Sequence, residues 1–128
     1  MPNGKPTILV VEDEALILVS AVDLIETAGF AALAASNADE AISILEARND
    51  IRVVFTDVDM PGSMDGIKLS HYIRDRWPPI HLIVASGKTQ MDQSHLPDGA
   101  MFFPKPYLEE PLLDAITTFL NDRMPGTH

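Results

Sequence analysis

The chain has no cysteine. Disulfides, thiolate metal sites and cysteine nucleophiles are thereby excluded. Positive charge is scarce: nine Lys and Arg stand against nineteen Asp and Glu, a formal net charge of -10. Non-specific nucleic-acid binding draws on clustered Lys and Arg. No basic stripe is visible, so no direct contact with nucleic acid is expected. No apolar run approaches the length of a signal-peptide core or a membrane span. A cytoplasmic protein without membrane contact is the expectation. What remains is 128 residues, 46% hydrophobic and 22% charged, which suits one domain, 1–128, around one core. Residues 1–6 read as a disordered polar lead and 122–128 as a loose tail. The acidity suits a cation-binding pocket or a partner with a basic face.

Residues 8–11 are all apolar and run into Glu12 and Asp13, the pattern of a strand buried on both faces. Residues 14–28 have helical spacing, with Ala15, Leu18, Val22 and Ile25 on one face and Gly29 placed to stop the helix. A weaker, alanine-rich strand follows at 30–35. Asn37, with Glu40 three residues on, predicts a capped helix start, and Ala38, Ala41, Ile42 and Leu45 give that helix its buried stripe. Residues 53–55 form a third strand ending in Thr56 and Asp57. A loop over 58–65 contains Pro61 and Gly62. A helix over 66–76 cannot continue through Pro78 and Pro79. Strands at 81–85 and 101–103 lead into Ser86-Gly87 and Pro104-Lys105-Pro106. A last helix spans 108–121, with Leu112, Leu113, Ile116 and Leu120 facing inward.

Strand and helix alternate throughout. Parallel strands need crossovers, so the expected fold is a doubly wound α/β domain on a five-stranded parallel sheet. Residues 88–99 are the weak point. They offer only Met91 and Leu96 as large apolar anchors before Pro97, which predicts a weak or irregular fourth helix. Residues 88–97 are therefore expected to open most readily, and to carry any phosphorylation-driven change.

In such a sheet the site lies at the carboxyl ends of the strands. Glu12, Asp13, Asp57, Ser86 and Lys105 all fall there. Three carboxylates packed together repel one another, and a hard cation such as Mg²⁺ offsets this with oxygen coordination. Lys105 adds a fixed positive charge and Ser86 a hydroxyl donor. The set suits phosphoryl transfer to a carboxylate, which needs little beyond position and charge compensation.

The string from Val10 to Glu14 resembles the metal-binding opening of receiver domains of two-component response regulators (CheY-like). Thr56-Asp57-Val58-Asp59-Met60-Pro61 resembles their phosphoacceptor segment, and Ser63-Met64-Asp65-Gly66 the turn into their third helix. Ser86-Gly87 and Lys105-Pro106 resemble the switch hydroxyl and the lysine motif. The resemblance covers essentially the whole chain, in the family's order. It implies the flavodoxin-like receiver topology and a stand-alone, single-domain protein in a phosphorelay.

It further implies that Asp57 takes the phosphoryl group. Asp13 and Asp57 would give carboxylates to Mg²⁺ (or Mn²⁺), Glu12 would act through metal-bound water, and Asp59 would contribute its carbonyl. Ser86 and Lys105 would each meet a phosphoryl oxygen. Phe102 occupies the aromatic switch position. Asp59 and Lys88 flank the path of the hydrolytic water and would tune hydrolysis. The implied partners are a histidine kinase or phosphotransfer protein and a downstream protein target. The implied activity is self-phosphorylation and slow self-dephosphorylation, not turnover of an external substrate. The thin 88–99 segment removes the usual dimer face, so an unphosphorylated monomer is expected.

An alternative from another class is an aspartyl-nucleophile hydrolase, with Asp59 as general acid two residues after Asp57. Such enzymes need a cap domain, for which 128 residues leave no space. The four histidines, His71, His81, His95 and His128, show no zinc-ligand spacing and read as structural or surface residues.

Overall fold

The computed structural model describes residues 6–58, 65–87 and 93–121, with Gln93 described in its backbone only. Five strands alternate with four helices: β1 Thr7–Val11, α1 Ala15–Thr27, β2 Ala31–Ala35, α2 Ala38–Ala47, β3 Ile51–Asp57, α3 Gly66–Arg76, β4 His81–Ser86, β5 Met101–Pro104 and α4 Glu109–Asn121. The sheet is parallel throughout, in the order β2-β1-β3-β4-β5. The doubly wound α/β class expected from the alternation is the one found.

Alternate residues of each strand serve opposite faces. Leu9, Val11, Val54, Leu82 and Val84 pack with Ala41 and Leu45 of α2 and Leu69 and Ile73 of α3. Ile8, Val10, Val53, Phe55 and Ile83 pack with Ala21 and Ile25 of α1 and Leu112 and Ile116 of α4. Each fully buried aliphatic contributes roughly 1.5–3 kcal/mol, so the two faces together fix the sheet between its helices. On α1 the buried positions are Ala21 and Ile25, while Ala15 at the mouth of the helix is exposed. On α4, Ala115 is buried and the larger Leu113 and Leu120 are only half-buried.

Local signals set the helix ends. Asn37 accepts from Glu40 N–H at 2.8 Å, while the Glu40 carboxylate accepts from the Ser36 N–H and hydroxyl. The reciprocal bond thus falls one residue before the cap. Asp65 accepts from Lys68 N–H at 2.9 Å and starts α3. Gly29, at φ +103°, ends α1 in the left-handed region that glycine adopts without strain.

Between β4 and β5 the described residues hold one short 3₁₀ turn, Gln93–His95; Met91 lies outside the described residues. The expectation of weak anchoring holds only in part for what is described. Leu96, Pro97 and Ala100 are buried. Two side chains of α3 also reach this stretch: His71 Nε2 lies 3.0 Å from the His95 carbonyl, and Arg74 Nε donates to the Asp98 carbonyl at 3.1 Å.

Candidate functional site

The strand register brings the acidic positions level. Val11 pairs with Thr56 across β1 and β3, so Glu12 follows on one strand as Asp57 follows on the other. Asp57 pairs with Ala85, one step before Ser86, and Ser86 pairs with Pro104, one step before Lys105. Lys105 N–H donates to the Ser86 carbonyl at 2.8 Å, and the Lys105-Pro106 peptide is cis. The result is one cluster: Lys105 Nζ lies 2.8 Å from Asp57 Oδ1. Glu12, Asp13 and Asp57 each place a carboxylate oxygen within 4.8 Å of the others. Asp13 is exposed, whereas Glu12, Asp57 and Ser86 are buried.

Glu12 shows the electrostatic strain of this arrangement. Its pKa is pushed up to about 7, first by burial and then by the Asp57 charge and the bond with Asp13. The Glu14 N–H, at 3.0 Å from Oε2, and Lys105 oppose the rise. Lys105, partly buried, is therefore the cation set against three carboxylates. The donors are all hard oxygens, in the number and grouping that suit a divalent cation such as Mg²⁺; Glu12, Asp13 and Asp57 are the residues that would hold it.

Two further residues shape the site. Tyr107, which the motifs did not single out, lines a small cavity of about 10 Å³ with Ile17, Phe55, Glu12, Asp57 and Lys105. That is about the space of one water. Its ring meets Phe55 edge-on at 5.4 Å, and burial, followed by the Glu12 charge, holds its phenol above the usual range. The sequence signal was a polar aromatic two residues past the lysine. Gly66, visible in sequence only as part of a turn, touches the backbone of Asp57. A Cβ there would lie 2.2 Å from the Asp57 carbonyl oxygen and 2.6 Å from Val58 Cα.

The remaining expected residues are not all in the cluster. Phe102 is half-buried against the core on the α2–α3 face. Asp59 and Lys88 lie outside the described residues. Among the described histidines, His71 contacts the His95 carbonyl, and His81 stacks on Phe119 at 4.4 Å. His128 lies outside the described residues. The described metal-capable cluster contains no histidine.

Residues 8–117 match the family model described as response regulator receiver domain. The chain belongs to the receiver domain family. Phosphorylation on aspartate and Mg²⁺ binding are expected of this family, which works in two-component signalling and is not one of turnover enzymes. Among curated relatives, the sensor kinase CckA of Brucella abortus is 31% identical over 122 residues, which are 92% of this chain but 13% of that kinase. A receiver domain structure from Clostridium thermocellum is 31% identical with a TM-score of 0.83, covering 90% of this chain and 94% of the other. A receiver protein structure from Sinorhizobium medicae is 27% identical with a TM-score of 0.85, covering 94% and 98%. Among the described residues of this receiver domain, no helix is long and apolar enough to cross a membrane.

Proposed function

We propose that this receiver domain accepts a phosphoryl group on Asp57 from a phosphohistidine of a histidine kinase or phosphotransfer protein, then alters partner binding or passes the group on. The observation that carries this reading is the 2.8 Å contact of Lys105 Nζ with Asp57 Oδ1 beside two more carboxylates. In the transfer, a carboxylate oxygen of Asp57 attacks phosphorus, the P–N bond breaks, and the imidazole leaves with the electron pair. Asp57 is fixed by β3, so the nucleophile is held in place before the donor arrives. Lys105 turns from the carboxylate to an oxygen of the transferred group and neutralises charge there. Ser86 offers its hydroxyl to another oxygen. A bound Mg²⁺ or Mn²⁺ would neutralise charge on the carboxylates and on the phosphoryl oxygens. Phe102 acts as the switch aromatic, moving as Ser86 is drawn toward the new group.

The surface beside the pocket supports a helical donor. Leu16 and Val19 on α1 and Leu108 before α4 are 84%, 65% and 73% exposed, leaving apolar area for a partner's helices. The test is incubation with Mg²⁺ and a small phosphodonor, followed by intact mass. The wild type gains one phosphoryl group and Asp57→Asn gains none, with its fold retained by circular dichroism. Equal mass gain in the variant overturns the assignment.

A further inference from the structure

At the end of the sheet opposite Asp57 the chain's charge reverses. A groove of about 520 Å³ opens where α2 and α3 end and β3 and β4 begin. Ile51, Leu45 and Ile80 lie at its base, and Trp77, Pro78 and Pro79 line one side. Arg48, Arg52 and Arg76 also line it, three of only nine basic residues in a chain of net charge -10. Arg74 adds a fourth positive charge close by, donating from Nη1 to the Pro78 and Ile80 carbonyls at 2.7 and 3.0 Å.

The acidic neighbours cancel these charges only in part, Asp50 offsetting Arg48 and Glu46, which also lines the groove, standing near Arg76. Asp50 engages Arg48 at 2.6 and 2.8 Å, and that bonding holds its carboxyl well below the usual carboxylate range. Glu46 stands 3.6 Å from Arg76 and both are half exposed, so that pair is weak. Arg52 is exposed and makes no ion pair among the described residues. Arg76 is held in place by other means: its guanidinium lies 5.1 Å from the Trp77 ring centre and 5.4 Å from that of Tyr72, and it donates to the Tyr72 hydroxyl. A guanidinium fixed in this way loses little freedom when it takes up a carboxylate.

We propose that this groove binds a short acidic peptide segment of a partner protein. An aliphatic anchor of the segment sits between Trp77 and Ile51, and its carboxylates meet Arg52 and Arg76. A long polyanion fits less well, because the chain as a whole carries a net charge of -10. The site stands apart from the phosphoryl-transfer edge, so the segment tethers a partner without covering Asp57.

Trp77 is the single tryptophan of the chain, so its emission reports on the groove. The probe is a short capped peptide of glutamates around one leucine, titrated into the full chain beside a glutamine version and a single-stranded oligonucleotide. The expected result is a saturable emission change with the glutamate peptide alone, weakened by salt. Arg52→Ala should weaken binding roughly tenfold, the scale of one lost charged hydrogen bond, with phosphoryl uptake unchanged. Four results overturn the proposal: no saturable change, an equal response to the glutamine peptide, tighter binding of the oligonucleotide, or full affinity in folded Arg52→Ala. The peptide comparison on the wild-type chain decides even if the variant folds poorly.

Discussion

Glu12 carries a clear pH signature at the site. Its carboxyl titrates near 7 in the folded protein against an ordinary 4.5, so between those values the folded state binds more protons than the unfolded one. Stability without metal therefore falls as pH rises through this window, at about 1.4 kcal/mol for each unit of separation. Melting temperature measured from pH 4.5 to 8 in chelator should decline, and Glu12→Gln should flatten the decline. Millimolar Mg²⁺ should reverse it, because a cation favours the ionised form. A melting temperature indifferent to Mg²⁺ at pH 8 counts against the metal site. The identity of these residues was legible from sequence, since chemistry-bearing side chains at strand ends stand out against apolar runs. Tyr107 was less legible, because its role depends on packing against Phe55.

The element that joins the site to the rest of the molecule is α3. Its first residue, Gly66, rests on the carbonyl of Asp57, and its far end reaches the β4–β5 connection through Arg74. Alanine normally improves a helix by up to about 1 kcal/mol over glycine. At Gly66 the added carbon meets backbone that cannot move aside, so Gly66→Ala should instead destabilise by roughly 1–3 kcal/mol and slow phosphoryl uptake. Urea unfolding and mass spectrometry check the two effects. Arg74→Ala removes bonds to the carbonyls of Pro78, Ile80 and Asp98. Loss of these charged bonds should cost about 1.5–3 kcal/mol. Hydrogen exchange should rise at 96–100 more than in α1. The thinness of apolar residues after Gly87 was readable in the sequence, but these tethers were not. They join side chains to carbonyl groups 24 residues away, and no local spacing records such a pairing.

Across the whole molecule, the fold class followed from simple causes, while the strand order was implied only by the family resemblance. Apolar runs alternated with helical stripes, and parallel pairing left few ways to wind the chain. The helix faces were read less completely: Ile25, Leu112 and Ile116 are buried as expected, but so are Ala21 and Ala115, which the helical spacing did not single out. β3 is bonded to β1 on one side and β4 on the other, and is covered on both faces by helices. Local fraying at the edges of the sheet therefore leaves Asp57 in place, and amides of 53–57 should exchange only through global unfolding. Heated samples should lose phosphoryl uptake and sheet structure along one curve. A chain with its reactive carboxylate on an edge strand would lose competence first and structure later, passing through folded but unresponsive molecules. Here the population divides into responsive and unfolded, so a count of folded molecules is a count of receivers able to take the signal.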